Sequence, residues 1–450
     1  MKRLRSLMLP GLAVGVLALA GCRGIPAPGE TEARHDLGAV TEKIRPHHQP
    51  PALPELTPAS SLSNYVAYAL LNRPQVAAAY YDWSASVENI TITRSLPDPQ
   101  LTFQAYIEDT LTSLMPGFIQ QFPGPGKLKA RARVASAESQ AKYFAFESAV
   151  LQAAFNLKSA YYQLGLLEEQ LRLKRKTGSL LENQVRVLRA QNVAGTTALP
   201  ETLRAQNELD RVQNDLANLK DSRPLLLENF KAALGLTPEQ PDPSAPASFE
   251  SSGENPDADD LLRFAFAHNP QLKSLAADVR AAEAGIAVAY KNRVPDFNAG
   301  VSIEVYRPPF YWPQAGMTLP IWRDKIAAEI AQAQANELAA KSRLKAAQID
   351  LAVNFAEKSF AYRETRRNLA LITDKLIPQA DQSLAAIQAG YRAGTTDFSS
   401  LTEVERTLLD FKLEAAEART ANEIALAELS LMVAGVPPVN APLLSNTTQP

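Results

Sequence analysis

One cysteine, Cys22, stands in a chain of 450 residues, so no disulfide can form within it. Histidine is almost as scarce. Of the four, His35, His47 and His48 lie in a proline-rich stretch and His268 stands alone, without the spacing of a zinc site. The five methionines do not cluster, so the sequence offers no metal site and no cofactor. No Ser-His-Asp layout or phosphate-binding loop stands out, which argues against an enzyme. Lys and Arg (46) nearly balance Asp and Glu (48), and a net charge of −2 leaves no nucleic-acid footprint. After Ala20 there is no run of 18 apolar residues, so no transmembrane helix is expected.

What is present is a duplication. Asn72-Arg73-Pro74-Gln75 returns as His268-Asn269-Pro270-Gln271, and Leu96-Pro97-Asp98 as Val294-Pro295-Asp296. Phe122-Pro123 before Lys127 returns as Leu319-Pro320 before Lys325. Ala194-Gly195-Thr196-Thr197 returns as Ala393-Gly394-Thr395-Thr396, and Leu234-Gly235 as Ala434-Gly435. Five markers in one order, 196 to 200 residues apart, define a repeat far longer than the roughly 20–50 residues of a solenoid unit. The boundaries read as a signal at 1–21, a proline-rich segment at 22–58, repeats at 59–236 and 257–436, a linker at 237–256 and a tail at 437–450. Both proline-rich segments are expected to be extended or irregular.

The N-terminus carries Lys2, Arg3 and Arg5, then an apolar stretch from Leu7 to Ala20, the layout of a secretory signal. Leu19-Ala20-Gly21-Cys22 resembles the bacterial lipobox, which implies that Cys22 becomes the lipid-bearing first residue. Arg23 in place of Asp implies, by the same resemblance, an outer-membrane destination. An ordinary signal with an incidental Cys22 is the plainer alternative.

Each repeat opens with a helical segment, Leu62 to Arg94 and Ala258 to Arg293, ending before a Pro-Asp pair. The period then changes. Leu101, Phe103, Ala105 and Ile107 alternate with polar residues, as do Phe297, Ala299, Val301, Ile303 and Val305. This is strand periodicity with one apolar face. Return strands are expected at Phe118 to Phe122 and Ala315 to Leu319, making one hairpin per repeat. No proline interrupts Lys127 to Asn192. Val150, Ala154, Leu157, Tyr161, Leu164, Leu171, Leu181, Val185 and Leu188 form a coiled-coil seam there. Such a helix of about 65 residues reaches roughly 100 Å. Its counterpart runs from Lys325 to Tyr391, with Pro378 as a kink or break. Glycine turns lead into returning helices, Leu199 to Ala233 and Phe398 to Val433.

Four strands with an apolar face cannot satisfy their edges in lipid, where only closed barrels suffice. Four strands per chain therefore require further copies. Two copies give an eight-stranded barrel filled by its own side chains, and three leave a lumen. Tyr306, Phe310, Tyr311 and Trp312 in the second hairpin loop fit a membrane-interface girdle, or equally a surface loop. A plain coiled-coil lipoprotein spacer without a pore has no use for the hairpins.

Lipobox, duplication, hairpins, heptad helices and Gly-Thr turns together resemble the outer-membrane efflux factor (TolC-like) family, over about Ser60 to Val436. The most specific pieces are Asn72 to Gln75, Leu96 to Pro99, Phe122 to Lys127 and Gly390 to Phe398. The resemblance implies a mainly α fold with a membrane β-barrel portion. Three copies would form a 12-stranded β-barrel continuous with a 12-helix periplasmic α-barrel. It implies a lipoprotein exit duct of a tripartite pump of the RND type, anchored in the outer membrane and reaching into the periplasm. Such a duct passively exports drugs or heavy-metal ions and partners a periplasmic adaptor and an inner-membrane pump. A type I protein-secretion duct is the alternative. The resemblance places the closed end at the two turns, with Gly195, Thr196, Gly394 and Thr395 as adaptor-docking positions. It offers Glu403, Glu201, Tyr391 and Ser400 as the constriction. Ser400 stands where the family often has a carboxylate, and Thr396 where some members carry arginine. Both glutamates could instead be solvated carboxylates at helix starts.

Overall fold

The computed structural model describes residues 26–45, 49, 51–57, 60–107, 111–243, 258–305 and 308–433. Cys22 and the signal, His47, His48, Tyr306, most of the 237–256 linker, Gly435 and the 437–450 tail lie outside the described residues. Two compact units emerge. One holds 82–142 and 275–342 with the N-terminal residues to 39; the other holds 40–81, 143–274 and 343–450. Each unit draws on both sequence repeats.

The first unit carries the sheet. Strands β1 (Gln100–Ile107), β2 (Leu111–Phe122), β3 (Phe297–Glu304) and β4 (Phe310–Met317) form an antiparallel meander in the order β1-β2-β3-β4. The two hairpins are thus joined through β2 and β3, with Phe122 opposite Phe297, Gln120 opposite Ala299 and Phe118 opposite Val301. The return strands are longer than the sequence suggested. Pro116 and Pro313 stand inside β2 and β4, in segments expected to be loop. The aromatics Phe310, Tyr311 and Trp312 accordingly belong to β4 and not to a loop.

The N-terminal segment also departs from expectation. Residues Glu30–Ile44 are a helix, α1. The prolines cluster at 26–28 and 46–54, and the interval between them has none. Glu30 and Glu32 sit in the first turn and Lys43 in the last, favourable for the helix dipole. The Glu30 carboxylate, only 2% exposed, accepts bonds from Arg94 Nε (2.6 Å), Thr91 Oγ1 (2.6 Å) and the Ala27 N–H (2.9 Å). Burial alone would raise its pKa. The hydrogen bonds from Arg94, Thr91 and Ala27, with the Arg94 charge, outweigh that and hold it at about 2.

Each opening helical segment is in fact two helices. Leu62–Asn72 (α2) is followed by Pro74–Arg94 (α3), and after the first hairpin and its long helices Ala258–His268 (α6) is followed by Pro270–Lys291 (α7). Arg73 leaves helical geometry at ψ 124° because the following proline ring crowds it. The repeated Asn-Pro motif then has a clear task. Asn72 Nδ2 donates to the carbonyls of Leu234 and Gly235 (3.0 and 3.1 Å), and Asn269 Nδ2 to that of Met432 (3.0 Å). In each repeat an asparagine closes the open C-terminal end of the returning helix.

The long helices are α4 (Lys127–Val193) and its return α5 (Leu199–Leu234), then α8 (Arg323–Leu371), α9 (Ile377–Arg392) and the return α10 (Phe398–Met432). All nine residues of the seam read along α4 are buried. Tyr65 of α2 anchors this core, with ring centroids 5.7 Å from Tyr161 and 5.6 Å from Phe230. A matching cluster in the second repeat gathers Ala265, Leu272, Leu351, Phe355, Tyr362, Leu426 and Leu429. Pro378 does not break its helix. A π-helical turn at Ile372–Leu376 precedes it and joins α8 to α9. The wider turn gives the proline ring room at the carbonyl four residues earlier. Pro224 lies inside α5, where the sequence reading registered no defect, and no π turn precedes it.

Candidate functional site

Two regions hold the residues expected to matter: the sheet, and the two turns with the helix starts that follow them. In the sheet, residues opposite one another share a face. Leu101, Phe118, Val301 and Pro313 form one row across all four strands, and Phe103, Pro116, Ile303 and Tyr311 contribute to the same face. That face is exposed: Leu101 is 68% and Phe103 66% accessible. The other face carries Thr102, Gly117, Ser302 and Trp312 in one row, with Gln314 Nε2 donating to Ser302 Oγ (2.7 Å) and Trp312 Nε1 to Glu304 (3.2 Å). Gly117 and Gly300 keep it flat, since a Cβ at Gly300 would lie 2.4 Å from the Phe118 carbonyl. Among the described residues neither β1 nor β4 has a partner on its outer edge.

The two turns are built alike. Gly195 and Gly394 each take φ +73° and end the preceding helix in the left-handed region. The Thr196 N–H reaches back to the Gln191 carbonyl and the Thr395 N–H to that of Gly390, both at 2.9 Å. The same threonines donate their hydroxyls to the same carbonyls (3.0 and 3.1 Å). The turns differ in what opens the next helix. Ala198 precedes α5 without a side-chain cap, whereas Asp397 caps α10 by accepting the Ser400 N–H (3.0 Å). Asp397 also takes the hydroxyls of Ser400 (2.5 Å) and Ser399 (2.7 Å). Those hydrogen bonds from Ser400 and Ser399 hold its pKa at about 2. Ser400 therefore spends its hydroxyl on the cap. Asp397, not Ser400, is the fixed anion of this turn, and Asp followed by Ser at the third position is an N-cap signature visible in sequence.

Glu201 and Glu403, from different repeats, line one groove of about 430 Å³ between the starts of α5 and α10. Arg204, Glu208, Arg211 and Arg406 line it as well, so three guanidinium groups face three carboxylates. Arg211 lies 3.6 Å from Glu208. These arginines escaped the sequence reading. Their signal is a Glu-x-x-Arg pattern in each repeat, Glu201-x-x-Arg204 and Glu403-x-x-Arg406, three residues out of register with the turns, whose spacing of three puts acid and base on one helical face. Tyr391 is half-buried beside the groove, its ring 6.1 Å from Phe398, against a cluster that includes Leu188, Ala205, Leu209 and Leu401. Among the described residues no group of three His, Cys, Asp or Glu side chains is placed to hold a metal ion. No described helix is long and apolar enough to cross a membrane.

A duplicated unit in which a strand hairpin precedes a long helical hairpin is the architecture of outer-membrane channel proteins of known structure. The chain matches VceC of Vibrio cholerae at 16% identity and a TM-score of 0.67, covering 83% of this chain and 96% of that one. It matches the CmeC outer membrane channel of Campylobacter jejuni at 12% identity and 0.71, covering 85% and 89%. It matches the open state of the MtrE outer membrane channel of Neisseria gonorrhoeae at 16% and 0.71, covering 83% and 89%. These likenesses carry the fold. The family model for outer membrane efflux proteins matches twice, at residues 66–236 and 261–435, and the chain belongs to that family. A comparison with curated protein sequences gives no match.

Proposed function

We propose that three copies of this chain form the outer-membrane exit duct of a tripartite efflux pump. Each copy supplies four strands to a 12-stranded barrel and four long helices to a 12-helix tunnel reaching into the periplasm. Lipid on Cys22 anchors the assembly in the outer membrane. The turns at Gly195-Thr196 and Gly394-Thr395 dock a periplasmic adaptor, which links the duct to an inner-membrane pump. Tyr311 on the apolar face, with Tyr306, marks the membrane interface; Phe310 and Trp312, expected there too, stand opposite Glu304 and Ser302 on the polar face. Small toxic compounds, drugs or heavy-metal ions, leave passively.

The observation that carries this reading is the sheet: one face apolar and exposed, the other largely polar, and both edges open among the described residues. Lipid suits the first face and water the second, and closure with further copies satisfies the edges. The helices lend support. Ile349, Val353, Phe360 and Leu371 of α8 are exposed at spacings of 4, 7 and 11, one apolar stripe awaiting a neighbouring copy.

Glu201 and Glu403 form the constriction in this reading, with the arginines of the same groove setting its charge. The test is single-channel conductance of the lipidated protein in planar bilayers, with Glu403→Ala beside it. The expected outcome is a small conductance that rises in the variant and shifts toward anions, because Arg204, Arg211 and Arg406 are then in excess. An unchanged conductance moves the constriction elsewhere. Silence from both proteins, and from a variant lacking both carboxylates, overturns the duct.

A further inference from the structure

The junction between the two repeats inside one chain is a template for the junction between chains. Asp296, just before β3, ion-pairs with Lys127 at the start of α4 (2.8 Å) and accepts the Gly124 N–H (2.7 Å). The Lys127 side chain is only 8% exposed. Asp296 belongs to the second repeat, and Gly124 and Lys127 to the first. The repeated counterparts of these groups are Asp98 and Lys325. Inside the chain they do not meet: Asp98 is exposed and makes no ion pair among the described residues, and Lys325 is 72% exposed, with only Glu329 at 3.8 Å.

Resting on the trimeric reading above, we propose that Asp98 of one copy pairs with Lys325 of its neighbour and thereby sets the register in which β1 joins the neighbour's β4. Pro97 and Pro295 are 198 residues apart and Pro123 and Pro320 are 197 apart. Applied to the β2–β3 pairing, those offsets place Leu101 opposite Met317, Thr102 opposite Gly316 and Phe103 opposite Ala315. Leu101 and Met317 both lie on the apolar face, and Thr102 and Gly316 both on the polar one. A shift by one residue would oppose apolar to polar along the whole seam. Face matching thus excludes odd shifts, and the ion pair selects among the even ones. The copy of the junction is not complete. Ile321 stands at the Gly124 position, where a Cβ would meet the Pro295 carbonyl at 2.4 Å, so the amide contact is not repeated. The charge pair alone holds this place, with the lysine one residue later along the chain.

Two measurements test the proposal on the full-length protein, after the mass of the wild-type assembly in detergent is determined. In the first, Leu101→Cys with Met317→Cys should form disulfide-linked oligomers on a denaturing gel. Leu101→Cys with Ala315→Cys, a diagonal pair, should link far less, and Leu101→Cys alone not at all. Directly opposed Cβ atoms lie about 4.5–5.5 Å apart against about 7–8 Å for diagonal ones, and only the former approach disulfide reach. In the second, Asp98→Lys and Lys325→Asp should each lower the temperature at which the trimer dissociates, and the double reversal should restore it. A wild-type trimer in which the diagonal pair links best, or in which the double reversal adds the two losses, overturns the register and the pair while leaving the trimer intact. A wild-type monomer overturns both readings.

Discussion

One face of the long helix is covered in the first repeat and open in the second. Along α4 Leu151 and Tyr162 are buried, whereas their counterparts on α8, Ile349 and Phe360, lie open. Lys127 is enclosed by its ion pair and Lys325 stands in solvent. The two repeats share one folding pattern, so the difference does not come from local sequence preference. It comes from position: among the described residues Leu151 and Tyr162 are covered by neighbours that Ile349 and Phe360 lack. A flank left open in this way fits the proposed assembly of three copies.

The largest break in this comparison is expected at the junction. Asp296→Ala strands the buried Lys127 charge and should cost about 3 kcal/mol, the low end for a buried pair because Asp296 is partly exposed. Asp98→Ala should lower the melting temperature of the assembly less, since its junction lacks the glycine amide. Thermal melts of the two variants side by side check the order.

Next in size is the helix α1, which precedes the first repeat. Arg94 meets Glu30, while Asn292, its counterpart in the second repeat, donates to Glu329 instead (2.8 Å). Glu30→Gln should cost about 2 kcal/mol by leaving Arg94 without its anion. Because the Glu30 pKa is depressed from 4.5 to about 2 on folding, its contribution is complete above about pH 4.5 and is lost as pH falls through about 2. Wild type and variant should therefore converge in acid. A difference in melting temperature that persists at the lowest pH would contradict the assignment.

The smallest effects should come from the turns, where the repeats agree. Neither Gly195 nor Gly394 has an atom within 4 Å of where a Cβ would stand, so Gly195→Ala and Gly394→Ala meet only the strain of positive φ. Each should cost about 1 kcal/mol, and by equal amounts. Unequal shifts in melting temperature would show that the two turns differ in more than the Asp397 cap.

Much of this was legible before the fold. The α4 seam needs only heptad spacing, and the strands only alternation, because both periods are set by local backbone geometry. The turns needed only glycine followed by threonine. The missed features each turn on a partner distant in sequence. Helix α1 is held by Arg94 and Thr91, some 60 residues on. The return strands read as starting at Phe118 and Ala315, yet pairing with β1 extends β2 back to Leu111 and pairing with β3 extends β4 back to Phe310. The groove arginines were visible as a Glu-x-x-Arg in each repeat, but only the family resemblance, not any local pattern, put Glu201 and Glu403 together.

By itself, then, the sequence determined the duplicated plan, the order of strand hairpin and helical hairpin within each copy, and the positions of the turns. These follow from periodicity and from glycine and proline, which act within a few residues. Only the tertiary structure decided which copies of a motif meet. It joined β2 to β3 across the repeats, gave Lys127 to Asp296, brought two helix starts to one groove, and left Asp98, Lys325 and two strand edges open. Those choices depend on contacts 100 to 200 residues apart, where chain geometry and burial, not local preference, set the outcome.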